Sequence, residues 1–148
     1  MQLEKEIPKN YFRNNGHKAL VNIMFTSNWI VERLKKFLEN EQITHQQYNI
    51  LRILKNSDTP LSTLQIREQM LDKMSDTSRI VERLLKKELV NKKVRALDKR
   101  LVDVTLNEKG VQLLQRLDKN THELDSIISN LDEDEIRSLN NLLDKMRD

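Results

Sequence analysis

The sequence predicts a mainly α-helical (α+β) protein with one short β-hairpin. Hydrophobic residues recur at spacings of three and four over most of the 148 residues, which is the periodicity of amphipathic helices. Glycine and proline occur only twice each, and this scarcity favours long uninterrupted helices. The periodicity changes to two between Val90 and Leu106, where we expect a pair of strands.

The first half of the chain predicts three helices. The longest spans about residues 11–39, and its apolar stripe consists of Leu20, Ile23, Met24, Ser27, Ile30, Val31, Leu34 and Leu38. Thr44 and Gln47 have the spacing of a capping box, which predicts the start of a second helix that ends at a turn over 56–60. A third helix is expected at about 62–71.

A fourth helix, at about 75–87, leads directly into the hairpin. Its inward-facing residues are Ile80, Val81, Leu84 and Leu85. The strands are expected at 90–95 and 102–106, with a turn at 96–99 between them. Because two short strands are not stable alone, we expect the hairpin to pack on the second, third and fourth helices.

The C-terminal third predicts two more helices with wide apolar stripes. Asn107 is placed to cap a helix over 108–129, and Asp132 with Glu135 to cap a last helix that ends near Met146. Apolar residues that need a covering surface are Leu113, Leu114, Leu117, Leu124, Ile127, Ile128, Leu131, Ile136, Leu139, Leu142, Leu143 and Met146. A second copy of the chain is an economical partner, because two-fold homodimers are the commonest oligomers. The alternative is a self-contained helical bundle.

Positive charge is concentrated in residues 79–100, where nine Lys/Arg stand against three acids, a net charge of +6. Residues 101–148 have six bases and eleven acids, a net charge of −5. Clustered bases displace counterions from a phosphate backbone, and a basic helix joined to a basic hairpin suits a winged helix-turn-helix that binds DNA. The alternatives are a solvated charged face, or a basic face for an acidic protein partner.

The composition argues against several other functions. The chain has no cysteine, which excludes disulfides, thiolate metal sites and thiol redox switching. His17, His45 and His122 lie in different segments without ligand spacing, and no phosphate loop or nucleophile motif occurs, so we expect no enzyme, metal or cofactor. The first residues lack the apolar segment of a signal peptide, and no run is long enough to cross a membrane. We therefore expect a cytoplasmic protein without a membrane partner.

Four segments together resemble the MarR family of bacterial transcriptional regulators. They are ITHQQYNILRIL at 43–54, SRIVERLLKKELV at 78–90, DKR at 98–100 and VTLNEKG at 104–110. The resemblance covers about residues 12–146 and implies one domain, 1–148, with a winged helix-turn-helix fold. It also implies a DNA-binding lobe at 43–106 with a short β-hairpin wing, flanked by dimerisation helices at 10–40 and 107–148.

Three positions depart from the family pattern. Glu88 stands where the family usually has glycine after the recognition helix, so we expect the helix end there to do without a left-handed residue. Asn107 replaces a threonine, and both residues can cap a helix. The segment at 69–74 is about two residues longer than the common pattern, which could shift the recognition helix.

The first residues of a recognition helix reach base edges in the major groove. Here the candidates are Ser75, Thr77, Ser78 and Arg79, together with Arg83. A threonine can contact a thymine methyl or a phosphate, and an arginine can bind guanine or a phosphate. The alternative for Ser75 is that it only caps the helix, and Asp76 would either accept from cytosine or brace Arg79.

The resemblance assigns the wing a separate role at the minor groove. Arg100 would enter the groove, where the potential is most negative, while Asp98 would hold the shape of the wing through an ion pair. Arg95 and Lys99 flank the tip, and either could take the place of Arg100. Two further residues suit phosphate contacts, Lys92 and Lys93. For each of these lysine and arginine residues taken singly, the alternative is an ordinary surface charge.

The resemblance also implies a cleft for a small effector between the dimerisation helices and the DNA-binding lobe. The candidates are Met24, Trp29 and Tyr48. The alternative for these three is core packing, which is the commoner role of aromatic and methionine side chains at helical spacing. The implied function is a homodimeric repressor that binds a palindromic operator and is released by an effector. The alternative of another class is a helical protein-interaction module with a basic face.

Overall fold

The computed structural model describes residues 3–8, 11–94 and 102–148. Its helices are α1 (Leu3–Glu6), α2 (Asn15–Leu38), α3 (His45–Lys55), α4 (Thr63–Gln69), α5 (Thr77–Lys86), α6 (Glu108–Asp118), α7 (Thr121–Asp125) and α8 (Glu133–Arg147). The strands are β1 (Leu61–Ser62), β2 (Val90–Val94) and β3 (Val102–Leu106), and a 3-10 turn, Glu39–Glu41, follows α2. The prediction of a mainly helical fold with one short hairpin is confirmed.

The sheet is antiparallel with strand order β1-β3-β2. In the hairpin, Val90 lies opposite Leu106 and Val94 opposite Val102. The sequence did not predict β1, because two residues are too few to show a period. Leu61 pairs with Val104 of the central strand, so the hairpin is joined by backbone pairing to the residues that open α4.

The core lies between α3, α4, α5, α6 and the sheet. Side chains with almost no exposure include Ile50, Leu51, Ile66, Val81, Leu84, Val104 and Leu114. The prediction that Leu113, Leu114 and Leu117 need a second copy to cover them is wrong. They are buried within this chain, since one face of α6 completes the core.

Side-chain caps begin the helices where the sequence places them. The predicted caps are confirmed for the pairs Thr44–Gln47, Asn107–Gly110 and Asp132–Glu135. Two more were not predicted in this form. Ser62 and Gln65 form a capping box for α4, and Asp76 rather than Ser75 caps α5, accepting from the Arg79 amide at 3.2 Å.

The helix predicted over 108–129 is wrong in its length. It ends at Asp118, and the short α7 follows after a break at Lys119 and Asn120. Asn120 and Thr121 have low helix propensity, and the core-facing apolar residues of α6 end at Leu117, so little favours continuing the helix. No residue of α7 or α8 is buried.

Glu88 takes the left-handed backbone conformation after α5, with φ 58°. The expectation that the helix end would do without such a residue is wrong. The Glu88 amide donates to the Leu85 carbonyl at 2.9 Å, and the Leu89 amide donates to the Leu84 carbonyl at 3.1 Å. These two bonds are those of a Schellman motif, and here glutamate occupies the position that glycine usually takes.

The end of α5 is joined to the start of α6. The Asn107 side-chain amide donates to the Glu88 carbonyl at 2.7 Å, and the Asn107 backbone amide donates to the Leu89 carbonyl at 3.3 Å. A Cβ atom on Gly110 would overlap that same Leu89 carbonyl oxygen and lie 3.0 Å from Leu106 Cδ1. Only glycine fits where α6 passes so close to the turn.

None of the helices within the described ranges is both long enough and apolar enough to cross a membrane.

Candidate nucleic-acid interface

The outward face of α5 is polar and mostly basic. Its exposed side chains are Ser78, Arg79, Glu82, Arg83 and Lys86, while Val81 and Leu84 face the core. Arg79 Nε lies 3.6 Å from Asp76 Oδ2, so Asp76 both caps the helix and braces Arg79. The sequence allowed this role for Asp76, and the helix presents the predicted Ser78, Arg79 and Arg83 on one surface.

The loop before α5 is organised around Asp72. Its carboxylate accepts from the Ser75 hydroxyl at 2.6 Å and from the Met74 amide at 3.0 Å. These hydrogen bonds, that of Ser75 first, lower the pKa of Asp72. Ser75 is therefore held by Asp72, and Thr77 is buried with 2% exposure, so neither is presented outward as Ser78 is.

The first strand of the hairpin adds Lys92 to the basic surface. Lys93, the next residue, points to the other face of the strand, where it is exposed opposite Asp103 in the sheet register. Lys92 Nζ forms an ion pair with the Glu82 carboxylate, which links β2 to α5. The wing-tip candidates Arg95, Asp98, Lys99 and Arg100 lie outside the described residues.

Two open depressions lie along this surface. One, of about 400 Å³, lies between α4 and the start of α5 and is lined by Thr63, Leu64, Arg67, Met74, Ser75, Asp76, Thr77 and Ser78. The other, of about 340 Å³, lies between α4, α5 and the hairpin and is lined by Ser62, Thr63, Leu64, Ser78, Val81, Glu82, Lys92 and Val102. Sequence reasoning missed α4 as part of this surface. Leu64, an apolar residue outside the buried face formed by Ile66 and Met70, was the available signal.

Ion pairs join the helix-turn-helix region to α6. Asp118 binds Arg52 of α3 and lies 2.8 Å from Lys55 Nζ. The hydrogen bond from Arg52, followed by that from Lys55, lowers the pKa of Asp118. Arg116 donates two hydrogen bonds, of 2.8 and 2.7 Å, to the carboxylate of Glu41. These hydrogen bonds lower the pKa of Glu41.

The three effector candidates lie in different surroundings. Tyr48 packs edge-on against Phe37 with ring centroids 6.4 Å apart, and its hydroxyl accepts from Arg52 Nε at 2.9 Å. Trp29 lies beneath the Arg33 guanidinium, 4.3 Å from the ring centroid, and Met24 is 68% exposed on α2. Tyr48 thus has a packing role, which was the alternative to effector binding for these three residues. Met24 does not have such a role.

Comparison with known proteins agrees with this geometry. Residues 43–102, from just before α3 to the start of β3, match the model of the MarR family. The protein contains a MarR-family domain. The family's members are transcription regulators and not enzymes, so the MarR resemblance and the prediction of a non-enzymatic DNA-binding regulator are confirmed. No curated protein matches the sequence.

Several solved transcription regulators share the fold of this protein. A MarR-like transcription regulator from Bacillus cereus ATCC 10987 is 21% identical with a TM-score of 0.80, covering 90% of this chain and 96% of that chain. A cysteine-to-serine variant of MarR from E. coli, complexed with operator DNA, is 20% identical with a TM-score of 0.76, covering 99% and 98%. The organohalide-sensing RdhR transcriptional regulator, bound to 2,4-dichlorophenol, is 18% identical with a TM-score of 0.85, covering 95% and 84%.

Proposed function

We propose that this MarR-family protein is a repressor that binds an inverted-repeat operator in double-stranded DNA as a homodimer. The observation that supports this most is the exposed basic face of α5, continued by β2 on the same surface. A recognition helix of this kind enters the major groove, and two-fold related helices require half-sites about one helical turn apart. Residues 43–106 form the DNA-binding lobe in this proposal, and 10–40 with 107–148 form the dimerisation helices.

The roles of the contact residues follow from their exposure. Ser78, Arg79 and Arg83 face outward and reach the major groove. Lys93 binds phosphate, and Lys92 does so when it is released from Glu82. At the wing tip, Arg100, Arg95 or Lys99 enters the minor groove and Asp98 holds the wing. Thr77 is given no direct contact because it is buried, and Ser75 is given none because its hydroxyl is held by Asp72.

Two exposed apolar faces support the homodimer. α2 exposes Leu20, Ile23, Met24 and Ile30, and α8 exposes Leu139, Leu142 and Met146. The exposed faces of both helices lie outside the core of the winged helix-turn-helix, which α2 joins near its C-terminal end through Phe37 and Leu38, and neither face is covered within the described part of the chain. A second copy brings such faces together with two-fold symmetry, as the closed symmetry of most homo-oligomers requires.

Release by a small effector completes the proposal. The RdhR regulator, whose fold this chain shares, is bound to 2,4-dichlorophenol, and a related structure concerns regulation of BpsR from Bordetella bronchiseptica by 6-hydroxynicotinic acid. In this chain Met24 and Trp29 are accessible on α2 and remain candidates for such a ligand. Tyr48 would contact the ligand only with the edge of its ring, since the ring is packed against Phe37.

Footprinting tests the DNA-binding proposal. The purified full-length protein is incubated with random-sequence duplexes, the bound duplexes are selected, and the protected bases are mapped. We expect a palindrome with half-sites one turn apart, and affinity that falls steeply as salt rises. Arg100→Ala is expected to weaken binding, and Lys5→Ala on α1, which removes the same charge outside the DNA-binding lobe and the dimerisation helices, serves as the control. Binding that is indifferent to both salt and sequence, or capture of an acidic protein instead, would support an interaction module and overturn the proposal.

A further inference from the structure

Leu64 is an exposed leucine on the surface formed by α4, α5 and the loop between them, where most of the other exposed side chains are polar or basic. It lies in the first turn of α4 with 63% of its surface exposed, whereas Ile66 of the same helix is fully buried. Leu64 lines both depressions on this surface, the one before α5 and the one beside the hairpin. It therefore lies where the two meet, next to the outward-facing Ser78.

A second large apolar side chain lies on the same surface. Met74, in the loop that precedes α5, is 93% exposed and lines the first depression together with Leu64. Its backbone is fixed, because the Met74 amide donates to Asp72 at 3.0 Å. Leaving both side chains in water forgoes the stabilisation that burial would give, and their positions are not explained by the core of this chain.

The acidic groups of this surface are engaged with protein groups. Asp72 accepts from Ser75 and Met74, Asp76 accepts from the Arg79 amide, and Glu82 binds Lys92. The centre of the surface therefore offers apolar contact beside the small hydroxyl side chains of Thr63 and Ser78, which line both depressions, while arginine and lysine side chains surround it. In such an arrangement, the arginine and lysine side chains bind the phosphate backbone of the DNA, and the side chains at the centre contact the edges of the nucleobases.

The major groove of DNA presents one apolar group, the C5 methyl of thymine. We propose that Leu64, with Met74 beside it, contacts thymine methyl groups in each half-site and sets the preference of this protein for thymine there. This inference rests on the proposed function, since it assumes that the surface of α4 and α5 faces the major groove. It adds a determinant of specificity on α4, outside the recognition helix.

The test removes the methyl group without disturbing base pairing. Each thymine of the selected palindrome is replaced in turn by deoxyuridine, and affinity is measured by fluorescence anisotropy with the full-length protein. We expect at least one symmetric pair of thymines at which the replacement weakens binding by the wild type. The affinity should fall about fourfold for each methyl group removed, which is the effect expected for one buried carbon. In Leu64→Ala, overall affinity falls and the same replacement has no further effect.

Two controls make the outcome specific. Leu71→Ala changes another highly exposed leucine, at 89% exposure, that lines neither depression, and it should keep the response to deoxyuridine. Met74→Ala should reduce the loss of affinity on deoxyuridine replacement at only one thymine of each half-site. Thermal unfolding of Leu64→Ala is expected to match that of the wild type, because alanine is favourable at an exposed helical position.

Failure of this inference differs from failure of the proposed function. If the wild type selects no palindrome, the proposed function fails, and with it the premise of this inference. If a salt-sensitive palindrome is selected but no deoxyuridine lowers affinity, then Leu64 does not read thymine. The same conclusion follows if Leu64→Ala keeps the full response or if Leu71→Ala also loses it.

Discussion

Glu82 on α5 and Lys92 on β2 form an ion pair across the junction between this helix and the hairpin. In the proposed DNA complex, the pair places a carboxylate on the DNA-facing surface and withholds one lysine from phosphate. We expect Glu82→Gln to bind operator DNA several-fold more tightly at low salt, because Lys92 is then free to contact the backbone. The slope of log affinity against log salt should steepen by about 0.9, the value for one added phosphate contact.

The control for this change is Glu133→Gln, which alters the net charge equally but lies on α8. It is expected to leave the salt slope at the wild-type value. Equal changes in the two variants would mean that net charge, and not the freed lysine, is responsible.

A charge on the exposed face of α8 should separate the proposed dimer. Leu142 is 66% exposed, so Leu142→Glu introduces no burial penalty within one chain. Sedimentation at micromolar concentration is expected to give a monomer, and affinity for the full palindrome should fall to that for a half-site. Leu71→Glu, an equivalent change in the loop after α4, should remain dimeric. A Leu142→Glu protein that still sediments as a dimer contradicts the assignment of α8 to the interface.

Acid should weaken the link between α3 and α6. Arg52 and Lys55 lower the pKa of Asp118 below its ordinary value of 3.8, so its stabilisation is fully present above pH 3.8 and lost as the pH falls further. Because the side chains are partly exposed, we expect Asp118→Asn to lower the free energy of unfolding by about 1 kcal/mol at pH 7. The difference from wild type should shrink below pH 3.8 in urea denaturation. Asp58→Asn, in the turn before β1, is the matched control.

Gly110 should tolerate no side chain. A Cβ would overlap the Leu89 carbonyl oxygen, and neither backbone segment can move without breaking the caps that surround it. We expect Gly110→Ala to lower the free energy of unfolding by about 2 kcal/mol or more. Gly16→Ala is the matched control, because its Cβ meets only the Asn14 side-chain oxygen, at 3.3 Å, and the stability should be unchanged or higher. Thermal and urea unfolding measure both, and equal melting temperatures for the two variants would contradict the overlap.

Replacing Glu88 should stabilise the protein. Its φ of 58° costs an L-residue about 1 kcal/mol that glycine does not incur, whereas its exposed ion pair with Lys109 contributes little. Glu88→Gly is therefore expected to raise the free energy of unfolding by about 0.5–1 kcal/mol. Glu88→Ala loses the same ion pair without relieving the backbone, so it should be no more stable than the wild type. A destabilised Glu88→Gly would show that the ion pair outweighs the strain.

Much of the fold follows from local signals in the sequence. The capping pairs Thr44–Gln47 and Asp132–Glu135 involve residues three apart, so they can be predicted without knowing the tertiary structure. The period-two run likewise predicts β3. By contrast, β1 exists only because Leu61 meets Val104 across the fold, and Leu117 is buried by elements far from it in the chain.

The candidate interface was likewise predicted only where its features follow from local signals in the sequence. The outward face of α5 follows from helical periodicity, so Ser78, Arg79 and Arg83 were placed as expected. The burial of Thr77 was not predicted, because it depends on how the start of α5 packs on the core. The pairing of Lys92 with Glu82 joins residues ten positions apart, which no helical or strand period predicts.

The contact of Gly110 with Leu89, and of Asn107 with Glu88, has a consequence for how this sequence can change over time. Residues 88 and 89 meet residues 107 and 110 at one turn, so substitutions at 88, 107 and 110 cannot be accepted independently. We expect related sequences to vary at these positions in concert, with glycine kept at 110 wherever a residue able to bond the position-88 carbonyl stands at 107. Lineages would then retain or lose this turn as one heritable unit.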